Sequence, residues 1–210
     1  MDLNKSLQTY LNEVASDSPT PGGGNVAAFS GALACSLGIM VCNLSIGKKK
    51  YADVEEELKD VRFQLDNFKN KFIQLAEEDN EAFNKVMAAF KLPKETDEQR
   101  VLRENKIEEA TLGAAVVPGS VIKVCKNVMP SIHLVAKKGN QNSLSDAGVA
   151  VSLLKSAAQG AMLNVLINCN ALKDQNDAND MLMKTELIYN DIRAEAVVIL
   201  NEINYKLKKK

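Results

Sequence analysis

The chain reads as all-α: a single-domain bundle over residues 1–210, with about six to seven helices around two small-residue, uncharged helices. Three observations predict this. Apolar residues recur at alternating steps of four and three over long stretches, which places them on one face of a helix. No run alternates apolar and polar residues as a half-buried strand would. Two segments, 18–47 and 146–172, are nearly free of charge and rich in Ala, Gly, Ser and Cys, the composition of helices enclosed by others.

Taken in order, residues 3–15 predict a short amphipathic helix with Leu3, Leu7, Leu11 and Val14 on one side. In the loop that follows, Pro19 and Pro21 stiffen the backbone, while Gly22, Gly23 and Gly24 let it turn and lie close to a neighbour. The first uncharged helix, reaching about Ile46, carries Ala27, Gly31, Cys35, Gly38 and Cys42 on one face. A long helix from Asp53 to about Phe90 has the stripe Val54, Leu58, Val61, Leu65, Phe68, Phe72, Leu75, Asp79, Phe83, Val86 (or Met87) and Phe90. Asp79 stands where an apolar residue is expected.

Pro93 breaks the chain within 91–96, and Thr96 with Gln99 forms a capping box for the next helix. Pro118 should kink that helix, because the ring removes a donor and crowds the carbonyl of Ala114. Pro130 should break it ahead of a short helix ending at Gly139. Ser145 is the expected N-cap of the second uncharged helix, from about Asp146 to Leu172, whose inner stripe ends in Val165, Asn168 and Leu172. A final helix over 177–207 runs through Ile188, Ile192, Ala196, Ile199 and Ile203.

A formal net charge of −1 gives no global argument for nucleic acid, and the terminal KLKKK reads as a solvated helix end. Cys35, Cys42, Cys125 and Cys169 lack CxxC spacing and read as reduced core residues of a cytoplasmic protein. With His133 as the only histidine, no His/Cys metal site has ligands at sensible spacing. The N-terminus lacks the basic-then-apolar layout of a signal peptide. The uncharged run 18–47 is long enough to span a bilayer, but Asn25, Ser30, Ser36, Asn43 and Ser45 interrupt it, which favours a buried helix.

Asp79 is the sharpest chemical signal. A carboxyl on a buried face must be paired, hydrogen-bonded or protonated, and desolvation raises its pKa toward the range of a general acid or base. A solvated break in the seam or a structural salt bridge explains the same spacing. Asn164 and Asn168 read either as ligand-binding amides or as inter-helix hydrogen bonds. Asp146 behind Ser145 suits a helix N-terminus electrostatically. The triple glycine is neither a dinucleotide fingerprint nor a P-loop, so a tight turn and a ligand cradle both stand. Lys48, Lys49, Lys50 and Lys94 could hold a polyanion.

PTPGGGNVAAFSGALA, IGKKKY, AEEDNEAFNKVMAAFKLPK, the VP pair at 117–118, KKGNQNSLSDAGVA and NVLIN at 164–168 occur in that order. Together they resemble the formiminotetrahydrofolate cyclodeaminase/methenyltetrahydrofolate cyclohydrolase family over about residues 3–205. The resemblance implies an all-helical, metal-independent, cofactor-free homodimer whose substrate is a tetrahydrofolate derivative, with or without a polyglutamate tail, and no nucleic-acid or membrane partner. It implies Asp79 as general acid/base and Asp146 as a second carboxylate. Asn140, Asn142, Ser145, Asn164 and Asn168 would read the pterin or fix the carboxylates. Gly22, Gly23 and Gly24 would form a backbone wall, and Lys48, Lys49 and Lys94 would meet the glutamate tail.

Two positions depart from the family pattern. Asn25 stands where Ser is expected, and Phe83 where Tyr is. The chain's length without a fused transferase favours the cyclohydrolase over the cyclodeaminase. A non-catalytic dimerisation module, with its polar seam residues fixing register, is the reading from a different class.

Overall fold

The computed structural model describes residues 6–209, so Leu3 lies outside the described part. Six α-helices follow one another: α1 (Leu7–Val14), α2 (Gly23–Asn43), α3 (Glu55–Phe90), α4 (Asp97–Lys138), α5 (Leu144–Asn170) and α6 (Gln175–Lys208). Short 3-10 turns, Lys49–Val54 and Gln141–Ser143, precede α3 and α5. Among the described residues there is no strand.

α2 is the axis of the bundle, packed against α3, α4 and α5. Its small-residue face works as expected, with Ala27, Gly31, Cys35, Gly38 and Cys42 all buried. The glycines fall one heptad apart, and each receives a side chain of an antiparallel neighbour, as a knob enters a hole. A Cβ on Gly31 would lie 2.5–2.7 Å from the Phe72 ring, and one on Gly38 would lie 2.8 Å from Leu65. The same step along both helices sets Gly24 against Asp79. The α2–α3 register therefore reads Gly38/Leu65, Gly31/Phe72, Gly24/Asp79. The carboxyl occupies a slot that core packing filled with large apolar groups in the two preceding heptads.

α5 also runs antiparallel to α2: Gly160 lies against Ala27 and Asn164 against Gly23. α6 then returns along α5, with Ile203 against Gly148 and Cys169 donating to the sulfur of Met181 at 3.7 Å. All four cysteines are free and buried. Burial pushes the Cys35 thiol up to about 12 and the Cys42 thiol up to about 11.

Caps set most helix boundaries. Ser6 accepts from the Thr9 amide, and the Thr96–Gln99 capping box is formed in both directions. Asp174 accepts from the Asn176 and Asp177 amides, so α6 opens two residues before the expected position. At the α5 start the expected cap is corrected. Ser143, not Ser145, is the N-cap and makes no side-chain bond, because Asn140 accepts from the Asn142 amide and turns the chain into a helical course earlier.

Neither proline in α4 ends the helix, which is one 42-residue element through Pro118 and Pro130. The break expected at Pro130 is absent. That residue is exposed, so water can serve the carbonyl its ring deprives of a donor. At buried Pro118 the deprived carbonyl is that of Ala114. Asn168 of α5 supplies the missing donor, its Nδ2 lying 2.9 Å from that oxygen.

Three helices (Gly23–Asn43, Asp97–Lys138 and the segment 141–170) are long and apolar enough to cross a membrane by length and composition. Of their apolar windows, 56%, 56% and 44% are buried within the bundle, which leaves much of each outward side uncovered.

Candidate active site

α2 begins without a side-chain cap, since its N-cap is Gly22. Its first amides therefore lack intrahelical partners, at the positive end of the helix dipole. Asp79 of α3 reaches that end through the slot opposite Gly24, where a Cβ would lie 2.7 Å from its Cγ and 2.8 Å from Oδ2. Only glycine leaves room for the carboxyl. Burial raises the Asp79 pKa above its ordinary 3.8, and the hydrogen bond from the Asn25 backbone N–H partly opposes that rise.

Asn25, which stands where Ser is expected, lies within the first turn of α2 and is fully buried. Its Nδ2 donates to the Ala76 carbonyl at 2.7 Å, and its Oδ1 accepts from the Tyr10 hydroxyl at 2.8 Å. One side chain thus joins α1, α2 and α3 directly beneath Asp79. Sequence reasoning missed both Tyr10 and this role of Asn25. The available signal was an amide on the first turn of an otherwise uncharged helix. Next to Asp79, Asn80 Oδ1 is a buried oxygen without a hydrogen-bond partner.

Asn164 completes this end. A Cβ on Gly23 would lie 3.5 Å from its Nδ2, which donates to the Gly160 carbonyl at 2.9 Å. Asn168 is one turn further along α5, with its amide committed to Ala114. Gly23 is exposed, so the cluster opens to solvent over the α2 N-terminus.

The remaining expected residues are not brought here. Asn140 sits at the other end of α2: its backbone N–H donates to Ser45 Oγ at 2.8 Å, and its Nδ2 donates to the Leu44 carbonyl at 3.2 Å. Asn142, Ser145, Asp146, Lys48 and Lys49 share that end. Asp146 and Asn164 are 18 residues apart on one helix, roughly 27 Å along its axis. Lys94 lies in the α3–α4 connection, where its carbonyl accepts from Arg100 Nε at 3.0 Å. It is on the Asp79 side but beyond the end of α3. The site expected as one pocket is thus two clusters within a single chain.

A groove of about 670 Å³ between α3 and α4 is floored by Ala82, Ala89, Ala110 and Val117 and rimmed by Glu81, Lys85 and Lys106. Asp79, Gly24 and Asn164 do not line it. The Asp79 carboxyl and the α2 N-terminus therefore lie outside this groove.

These features define a class: an all-α bundle with a carboxyl of raised proton affinity seated on the N-terminus of a glycine-started helix. The chain belongs to the formiminotransferase-cyclodeaminase family, whose model matches residues 6–186. A methenyltetrahydrofolate cyclohydrolase of Methylorubrum extorquens is 42% identical over 207 residues, covering 99% of this chain and 98% of that one. The formimidoyltransferase-cyclodeaminase of Gallus gallus is 30% identical over 94% of this chain, which spans 37% of the avian protein. The crystal structure of a formiminotetrahydrofolate cyclodeaminase from Thermotoga maritima matches with a TM-score of 0.80 at 32% identity, covering 95% of this chain and 98% of that one.

Proposed function

We propose that the protein hydrolyses 5,10-methenyltetrahydrofolate to 10-formyltetrahydrofolate, with Asp79 as the group that moves the protons. The observation that carries this reading is the Asp79 carboxyl held in the Gly24 slot against the Asn25 amide, in a chain of this family. Water attacks the methenyl carbon, and the ionised carboxylate takes one of its protons as the C–O bond forms. In the resulting tetrahedral carbinol the carbon bears both nitrogens. The bond to nitrogen 5 then breaks, its electron pair stays on nitrogen 5, and Asp79 returns the proton there. The carbonyl forms on nitrogen 10 as the hydroxyl proton leaves to solvent, so one proton is released per turnover. A carboxyl with a raised pKa suits both the uptake and the return.

In this reading Asn164 and the Gly22–Gly24 backbone hold the pterin over the helix N-terminus. Asn168, one turn on, steadies that wall. Asp146 with Asn140, Asn142 and Ser145 forms a second carboxylate cluster at the opposite end of α2, where Lys48 and Lys49 are candidates for the glutamate tail, and Lys94 is a candidate for it on the Asp79 side. The reading includes no metal and no resident cofactor, a homodimer, and a cytoplasmic location that suits four buried free thiols.

A second reading is supported by the Thermotoga maritima protein, which is a formiminotetrahydrofolate cyclodeaminase. In that reaction nitrogen 10 attacks the formimino carbon on nitrogen 5, and protonated Asp79 donates to the departing ammonia. One assay separates the two readings. Purified protein should make the methenyl absorbance disappear in the first reaction, or appear together with ammonia in the second. If neither substrate changes, the enzymatic proposal falls.

A further inference from the structure

We infer that Tyr10 and Asn25 are positioning residues for Asp79: together they anchor the glycine-started first turn of α2, so that the Asn25 backbone N–H stays aimed at the proton-moving carboxyl. The effect on turnover rests on the function proposed above; the anchor itself does not.

The sequence creates the need for an anchor. Gly22, Gly23 and Gly24 have the widest conformational freedom a chain can carry, and no side chain caps the helix they begin. Nothing local to the turn holds its first amides in place. Asn25 is the first residue of α2 with a side chain, and that side chain is fully buried. Its Nδ2 crosses to α3 and donates to the Ala76 carbonyl at 2.7 Å. Its backbone N–H donates to the Asp79 carboxyl, one turn further along the same helix. Asn25 therefore holds α3 at two points, and the side-chain bond fixes where the main-chain donor sits.

Tyr10 secures the other half of the amide. The Ala76 carbonyl can only accept, which turns Nδ2 toward α3 and leaves Oδ1 facing α1. There it accepts from the Tyr10 hydroxyl at 2.8 Å. Burial lifts the Tyr10 pKa above its ordinary value, so the hydroxyl keeps its proton and remains a donor. The ring is itself seated edge-on against Phe29, with centroids 5.1 Å apart.

The rest of α1 contributes little packing. Tyr10 is its one buried residue, while Leu7 is 60% and Leu11 51% exposed. A phenylalanine would serve the contact with Phe29 equally well. The hydroxyl adds a bond to Asn25, and through it a fixed partner for Asp79. α1 thus acts on the site without touching it.

The experiment starts from Tyr10→Phe, which keeps the ring and removes the hydroxyl. At matched folded concentration, kcat on the methenyl substrate should fall about 10-fold, the effect of a sub-ångström shift in the carboxyl's partner. KM should stay within about two-fold, because no group that meets the substrate has changed. In an Asn25→Ala background the same substitution should change kcat by less than about two-fold, since the hydroxyl acts through the Asn25 amide. A Tyr10 that served only stability would lower Tm and leave the kcat of the folded protein alone, which would overturn the inference. So would a loss that appears in KM, or one that recurs undiminished without the Asn25 side chain. Nuclear magnetic resonance gives a readout free of both turnover and the Asn25→Ala variant. The Asn25 amide proton, bonded to a carboxylate, should move upfield in Tyr10→Phe while those of Cys35 and Gly38 on the same helix stay in place. An unmoved Asn25 resonance overturns the anchor. A wild-type protein inactive on both folates refutes the proposed function instead, and the resonance still judges the anchor.

Discussion

Replacing Gly24 by Ala is the most incisive perturbation of the site. The new Cβ would stand 2.7 Å from Asp79 Cγ and 2.8 Å from Oδ2, and closer still to Oδ1, so the carboxyl must retreat by more than about 0.7 Å to reach even a tight 3.4 Å contact. A displacement of that size in a proton-moving group is expected to lower kcat by about 100-fold. The fold should tolerate the change better. Overpacking costs about 1–3 kcal/mol, helix propensity returns up to about 1 kcal/mol, and Asp79 is the end of a short, half-buried side chain that can move. A net loss of about 0–2 kcal/mol lowers Tm by no more than about 8 °C.

Two other glycines calibrate the effect. Gly31→Ala drives a Cβ into the fully buried Phe72 ring, which has nowhere to go, and should lose stability while its folded fraction keeps its turnover. Gly113→Ala meets nothing within 4 Å and should lose neither. The assay is folate turnover at matched folded concentration, with thermal melts of all three variants. Wild-type kcat in Gly24→Ala would refute the argument that the seat of Asp79 governs catalysis.

Further outcomes follow from the same geometry. Asp79→Asn keeps an oxygen for the Asn25 amide but cannot move a proton, so kcat should fall about 10²–10⁴-fold while the fold is retained. The raised Asp79 pKa means that the folded state binds the proton more tightly than the unfolded one. Wild-type stability should therefore fall, relative to Asp79→Asn, as pH rises from about 3.8 through the folded-state value, a trend that melts from pH 3 to 8 will read. Asn168→Ala strands the Ala114 carbonyl and should cost about 1–3 kcal/mol, but much less in a Pro118→Ala background, where residue 118 regains its own amide; a double-mutant cycle in urea measures that coupling. Tyr10→Phe leaves buried Asn25 Oδ1 without its donor and should cost a similar amount by the same measurement. The four thiols, buried and with raised pKa, should resist a disulfide reagent in the native protein and all react in denaturant.

The sequence by itself determined the helical class, the small-residue axis and the anomaly of Asp79, because each is a property of residues three or four apart on one helix. The Thr96–Gln99 capping box was legible for the same reason. What only the tertiary structure decided involves partners far apart in the chain. Asp79 gains its meaning from Gly24, 55 residues away, through an antiparallel register that periodicity on either helix alone does not set. Pro118 was expected to kink α4 and Pro130 to end it. The helix continues because its neighbours pack along it and because Asn168, on another helix, replaces a donor at Pro118. The motif residues were placed together on likeness, yet Asn164 and Asp146 are on one rigid helix roughly 27 Å apart. Helix length carries that separation, and no local pattern in the chain could have shown which end of the bundle each residue would reach.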